Sequence, residues 1–314
     1  TRRIRREMDA ATETSNVLTV PLPFSLNQPA EHFILTPTAA TEWMAFSAEL
    51  LVSGSIDTYE QRLITAWKNM AVATGPIRGS IATQAALQNI RNGILPPQSG
   101  KENPHYFDDS ALPRAVPIGI ISRGDHQASA SLSLTDASVT NSEDGIWGAQ
   151  ALAVTINAVC AGDEIETAIK KGSEFLPPSS WIKRTVDDAL RISSGAPSIF
   201  SIMPELHAGV VNREYSYGNS APETLALAFA IVLLHGKDFN TSVLTAASFP
   251  KSSETLPAVV GALSGAMNSH EILNDHWTES IQTLKGICIP ELSGKNLLSL
   301  TEQIAQSIGN RRTL

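Results

Sequence analysis

Three short runs of this sequence place oxygen-bearing side chains where a helix would begin. The first is Ser252-Ser253-Glu254-Thr255, ahead of Leu256-Pro257-Ala258. The second is Thr38-Ala39-Ala40-Thr41-Glu42. The third is Asp108-Asp109-Ser110, shortly before Arg114. A helix N-terminus carries free N–H groups and partial positive charge, so hydroxyls and carboxylates gathered there suit an oxygen-rich or anionic ligand. Each run also has a plainer reading. Thr38 or Thr41 would serve as an N-cap, Asp108-Asp109 as a cap beside a surface arginine, and Ser252 to Thr255 as the capped start of a core helix.

Other chemistries leave no trace. There is no Gly-x-Gly-x-x-Gly and no Gly-Lys-Ser/Thr phosphate loop. The 7 histidines are scattered, without the His-x-x-x-His spacing that places two zinc ligands on one helical face. No local nucleophile signature appears, although triads assemble in space rather than in sequence.

The elements that must position these runs are helical. Asp57-x-x-Glu60 reads as a capping box, followed by Tyr59, Leu63, Trp67 and Met70 at helical spacing. Ile81, Ala85, Ala86 and Ile90 give a further helix, ended by Gly93. A polar loop follows over 94–109. Helices are expected at about 111–122, 126–137, 143–161, 163–173 and 180–193. Ser220-x-x-Glu223 is a second capping box. It opens an almost wholly apolar helix to His235, which belongs in the centre of a large core. Further helices are expected over 238–247, 254–267, 271–284 and 295–308. In the helix after Glu254, Ala258, Ala262 and Ala266 recur four apart, with Gly261 and Gly265 beside them. Such a stripe lets another helix approach closely. Leu225, Phe229, Val232, Val259, Val260 and Leu263 are expected in one core. No alternating strand pattern, fixed repeat or dividing linker appears. The expected fold class is all-α, as a single domain over 1–314 with 1–14 as a frayed tail.

Composition narrows the partners. The net charge of −8 and pI near 5.4 give no global attraction to nucleic acid or an anionic membrane. Basic ends, Arg2-Arg3-Ile4-Arg5-Arg6 and Arg311-Arg312, read as solvated tails. Two cysteines, Cys160 and Cys288, supply no disulfide framework and fit a reducing, cytoplasmic setting. The longest apolar run, Leu225 to Leu234, falls short of the roughly 20 residues a bilayer requires.

Taken in order, these runs resemble the ADP-ribosylglycohydrolase family along nearly the whole chain. The family's Thr-Asp-Asp-Thr looks like Thr38-Ala39-Ala40-Thr41. Its Arg-Gly…Thr-x-x-Ala-Leu segment looks like Arg78-Gly79-Ser80 through Thr83 to Leu87. Its Asn-Gly-x-x-Met-Arg-x-x-Pro-Leu-Gly is similar to Asp109-Ser110-Ala111-Leu112-Pro113-Arg114-Ala115-Val116-Pro117-Ile118-Gly119. A Pro-Glu-Thr helix start stands at Pro222-Glu223-Thr224. The family's Gly-Gly-Asp-x-Asp-Thr looks like Pro250-Lys251-Ser252-Ser253-Glu254-Thr255, followed by Gly261-Ala262-Leu263-Ser264-Gly265-Ala266.

The resemblance implies a large orthogonal bundle of helices and, in ordinary members, a pair of magnesium ions held by aspartates of the first and last motifs. This chain departs there. The Asp pair is Ala39-Ala40, the first Asp of the last motif is Ser252, and an acidic residue near the N-terminus falls at Pro23. A family Thr-His looks like Thr135-Asp136. One carboxylate and neutral hydroxyls do not offset the dehydration of two hard dications. No metal ligand and no cofactor is therefore assigned.

The expected function is binding of an ADP-ribose-like or nucleoside ligand by a family member without the magnesium pair. Thr38, Thr41, Arg78, Gly79, Ser80, Ser252, Ser253 and Thr255 would contact the ligand. The alternative is a metal-independent N-ribosyl or N-glycosyl hydrolase using Glu254, Asp109 or Asp136 for acid–base chemistry. A partner-binding domain of a longer protein is the third reading. The carry-over also expects Asp109 on the rim of the cleft, with the helix starts after Thr38 and after Ser252 facing each other.

Overall fold

The computed structural model describes residues 36–122, 124–212, 215, 219–249, 251, 254–268 and 275–310. Helices begin where short polar side chains can accept from the first free N–H groups. Thr38 accepts from the backbone of Thr41 and opens α1, Ala39–Val52. α2 spans Tyr59–Val72. Its entry differs from the expected capping box: Ser55 caps a single 3-10 turn over Ile56–Thr58, and Asp57 lies inside that turn. Ser80 caps α3, Ile81–Arg91, and Gly93 leaves it at φ +85°. The stretch expected to be all loop holds a one-turn α4, Gln98–Lys101. α5 is Leu112–Ile121, and Asp125 caps α6, His126–Ala137. α7, Asp144–Cys160, and α8, Ile165–Ser173, follow. Ser180 caps α9, Trp181–Ser193, before α10, Ile199–Gly209. Ser220 caps α11, Ala221–His235, and Asp238 caps α12, Phe239–Ser248. α13 is Thr255–Met267. α14, Asp275–Ile281, ends three residues before the expected 284, the expected start over 271–274 lying outside the described residues, and α15 is Leu297–Asn310.

Among the described residues there is no β-strand, only two isolated bridges, Asp108 with Ser220 and Thr283 with Asn296. The fold is all-α. None of the described helices is long and apolar enough to cross a membrane.

α7 and α11 form the centre. α11 is buried on every side from Ala221 to Val232, as an apolar helix without a polar face requires. α9 and α13 pack on α11, while α5 lies between α1 and α7. The approach of α5 to α7 depends on Gly119. A Cβ there would stand 2.5 Å from the carbonyl oxygen of Ala153. Leu225, Phe229, Val232, Val259, Val260 and Leu263 lie in one hydrophobic cluster, as expected. Each such side chain contributes about 1.5–3 kcal/mol on burial.

The small-residue stripe of α13 behaves otherwise. Its buried face is Leu256, Val259, Val260 and Leu263, whereas Gly265 is exposed and has open space around it. The glycines do not mediate a backbone-to-backbone contact. Large apolar side chains at i, i+3, i+4 and i+7 drive the packing instead.

Candidate functional site

Two helix starts meet. Glu254, at the N-cap of α13, accepts a hydrogen bond from the backbone nitrogen of Ala40 in the first turn of α1, at 3.1 Å. The carboxylate thus takes one of the free N–H groups of α1, a favourable place for negative charge. Thr38 and Thr41 stand at the same end of α1, their hydroxyls 3.2 Å apart. Asp109 accepts from Thr224 of α11 at 2.8 Å, and the hydroxyl of Thr255, the next residue of α13, favours its charged form. Thr38, Thr41, Glu254, Thr255 and Asp109 therefore form one connected group. Ser252 and Ser253 lie outside the described residues.

Asp109 is not on the rim. It is buried, at 6% exposure, beneath the meeting of α11 and α13. Burial, reinforced by the neighbouring Asp108 carboxylate, pushes its pKa up to about 7, while the two threonine hydroxyls and Glu223 act as smaller influences. A carboxyl raised to about 7 beside a helix start can give or take a proton there. Asp108 faces the other way. Its Oδ1 accepts from Ser110 N at 3.0 Å and from Asn141 Nδ2 at 3.1 Å, so it braces the turn that presents Asp109.

The wall beside α1 is built from the C-terminal part of the chain. Glu42 is 1% exposed, and its carboxylate accepts from the backbone nitrogens of Ile287, Cys288 and Ile289 at 2.7–3.1 Å. The carbonyl of Cys288 in turn accepts from the backbone of Arg78 at 2.9 Å. Burial pushes the Cys288 thiol up to about 11, with Glu42 and Glu254 adding to the shift and Arg78 opposing it. Arg78 and Glu254 thus act on the same thiol. Arg78 itself is exposed. Ser80 is occupied as the cap of α3. Gly79 leaves room for Thr83, whose methyl would lie 2.6 Å from an added Cβ.

Asp136 belongs to a different structure. Its Oδ1 pairs with Arg114 Nε at 2.6 Å, and its Oδ2 accepts from Tyr59 and Ser47 at 2.7 and 3.2 Å. Arg114 is fully buried, not the surface arginine anticipated. It also bonds Thr140 and the Ser110 carbonyl and lies over the Trp67 ring. The pair is enclosed and fully hydrogen-bonded, which is the arrangement a buried charge requires.

The structure also brings in residues that sequence reasoning missed. Glu223 and Lys251 form an ion pair at 2.9 Å. His105 Nδ1 and the Tyr215 hydroxyl lie 2.6 Å apart, and Phe107 contacts both Tyr215 and Trp181 edge-on. This half-buried aromatic group stands near Asp108 and Asp109: burial pushes the Tyr215 hydroxyl up to about 12, with both carboxylates adding to the shift. The proximity of His105, Tyr106 and Phe107 to Asp108 in sequence was the available signal.

Comparison with known proteins places this helical chain in a family. The ADP-ribosylglycohydrolase family model matches residues 2–313. The chain belongs to the ADP-ribosylglycohydrolase family. Among solved structures, a chain titled "ADP-ribosylglycohydrolase-related protein complex" is similar in fold, with a TM-score of 0.54 and 17% sequence identity over 86% of this chain and 79% of that one. No curated protein sequence matches significantly. Against the magnesium pair expected of ADP-ribosylglycohydrolases, the donor set at the two helix starts is poor. Ala39 and Ala40 offer no side-chain oxygen, and one oxygen of Glu254 is engaged by Ala40 N. Among the described residues no group of three or more His, Cys, Asp or Glu side chains is placed to hold a metal ion.

Proposed function

We propose that the cleft between α1 and α13 binds an ADP-ribose-like or nucleoside diphosphate ligand without the family's magnesium pair. The observation that carries this reading is the hydrogen bond from Ala40 N to Glu254, which brings two helix starts together around a donor set that does not suit two dications. The remaining free N–H groups of both helices and the hydroxyls of Thr38, Thr41 and Thr255 favour phosphate and ribose oxygens. Ser252, Ser253 and the Arg78-Gly79-Ser80 segment are proposed to complete the contacts. The aromatic group around Tyr215 offers ring surfaces for a base. Two free thiols, Cys160 and Cys288, accord with a reducing, cytoplasmic compartment.

The test is calorimetry of the protein with ADP-ribose, ADP and adenosine, in EDTA and in magnesium chloride. Binding of ADP-ribose at equal affinity in both buffers is expected. Absence of binding in both, or binding only with magnesium, removes the reading.

A second reading is favoured by Asp109. Its carboxyl, raised to about 7, suits a proton donor to a departing group in N-ribosyl hydrolysis, with Glu254 stabilising a cationic sugar. Turnover of an N-ribosyl substrate in EDTA, abolished by Asp109→Asn, would select it. Asp136 has no part in this scheme, because Arg114, Tyr59 and Ser47 engage its oxygens.

A further inference from the structure

Lys251 joins two unusual facts. Its φ is +73°, in the left-handed region where a Cβ crowds the following carbonyl and glycine is preferred. A lysine held there against its backbone preference needs a reason in its side chain. That side chain is engaged on both sides. Nζ lies 2.9 Å from Glu223 Oε2 and 2.9 Å from the carbonyl oxygen of Asn212. The Glu223 side chain is 0% exposed and that of Lys251 17%. Asn212 closes the triangle, its backbone nitrogen donating to the same Oε2 at 3.2 Å. Its side chain accepts from the backbone of Tyr215, 2.9 Å away.

A carboxylate removed from water needs an opposite charge and hydrogen bonds close by. Other carboxylates stand close by, since Asp108 and Glu223 both act on the buried Asp109. A bound dication is one solution to such a concentration of carboxylates, but the donors at the helix starts do not fit one.

We propose that Lys251 is a tethered cation, supplying from within the chain the counter-charge that the buried carboxylate of Glu223 requires. It is a positioning residue. Through Glu223 it ties a position three residues before Glu254 to the start of α11, and through Asn212 it is linked to the side chain that accepts from the Tyr215 backbone. The inference rests on the metal-free reading of the cleft and adds the group that makes it workable.

The experiment is a double-mutant cycle on the full chain with Lys251→Met, Glu223→Gln and the pair, read by thermal unfolding with and without magnesium chloride. Lys251→Met keeps the stem and the backbone strain and removes only the charge. Its midpoint should fall by several degrees, Lys251→Arg should recover most of that loss, and Glu223→Gln should relieve it in the double variant. Magnesium should leave the wild type unmoved. Additive losses in the cycle overturn the proposal, as does a magnesium-induced rise of the wild-type midpoint. If Lys251→Met does not fold, a folded double variant supports the ion pair, and a double variant that also fails to fold overturns it. ADP-ribose calorimetry on the wild type separates the two claims. Binding together with an additive cycle removes the role of Lys251 and leaves the ligand reading. No binding together with a non-additive cycle does the reverse.

Discussion

Glu254 Oε1 lies 3.1 Å from the backbone nitrogen of Ala40, a contact across 214 positions of sequence that sets the start of α13 against the start of α1. The carboxylate occupies a donor that an anion would otherwise use, and it opposes the partial positive charge of both helix ends. Glu254→Gln is therefore expected to leave the unfolding midpoint within a few degrees, since the residue is exposed. Inorganic pyrophosphate should bind several-fold more tightly to the variant than to the wild type, measured by calorimetry. Weaker binding would mean that Glu254 contributes to the anion site, not that it competes with it.

Each of the two ends was legible in the sequence because it announces itself locally, whereas their facing each other came only from the resemblance to the ADP-ribosylglycohydrolase family. Thr38 is a cap ahead of an apolar run, and Glu254 stands before the Thr-Leu-Pro start of a helix. Most element positions followed the same signals, with boundaries within a residue or two, but the helix over Ile199–Gly209 had no counterpart in the sequence reading. The pairings across the core were not legible. Arg114 near Asp109 in sequence suggested a surface cap, but its partner Asp136 is 22 positions away on another helix. Glu223 read as half of a capping box. Ser220 does accept from Glu223 N at 3.4 Å, yet the Glu223 carboxylate reaches Lys251 and Asn212. Local spacing reveals what a backbone terminus wants. It does not reveal which distant charge will answer a buried one.

The Arg114–Asp136 pair gives a stability prediction. Asp136→Asn leaves a fully buried guanidinium without its counter-charge, and such losses cost about 3–5 kcal/mol. Urea unfolding should show a large fall in midpoint for this variant. Tyr59→Phe removes only one donor to the same carboxylate and should cost about 1 kcal/mol. Equal losses for the two variants would show that the charge pairing is not what holds this part of the core.

Glu42 makes a similar commitment elsewhere on α1. Three consecutive backbone N–H groups converge on its carboxylate, so it fastens the segment around Cys288 to α1. Glu42→Gln keeps the shape but weakens three charge-assisted bonds, at a cost of about 1–3 kcal/mol. Trypsin should then cut faster after Lys285, which is exposed beside the segment. An unchanged cleavage rate would mean that the apolar contacts of Leu284, Ile289 and Leu292 hold the segment without it.

Asp109 supplies the pH dependence. Burial and Asp108 raise its folded pKa from 3.8 to about 7, so the folded state holds a proton that the unfolded chain has already released in between. Stability from this group is complete below the unfolded value and declines as pH rises toward the folded one, with a slope of about 1.4 kcal/mol per unit inside that window. Asp109→Asn imitates the protonated form and still accepts from Thr224. Its unfolding midpoint should equal that of the wild type near pH 4, exceed it increasingly up to about pH 7, and keep a constant lead above. The difference between the two proteins isolates Asp109 from the other carboxylates, which titrate in both. A difference that does not change between pH 4 and pH 8 would place Asp109 in its ordinary range and remove it as a proton donor at neutral pH.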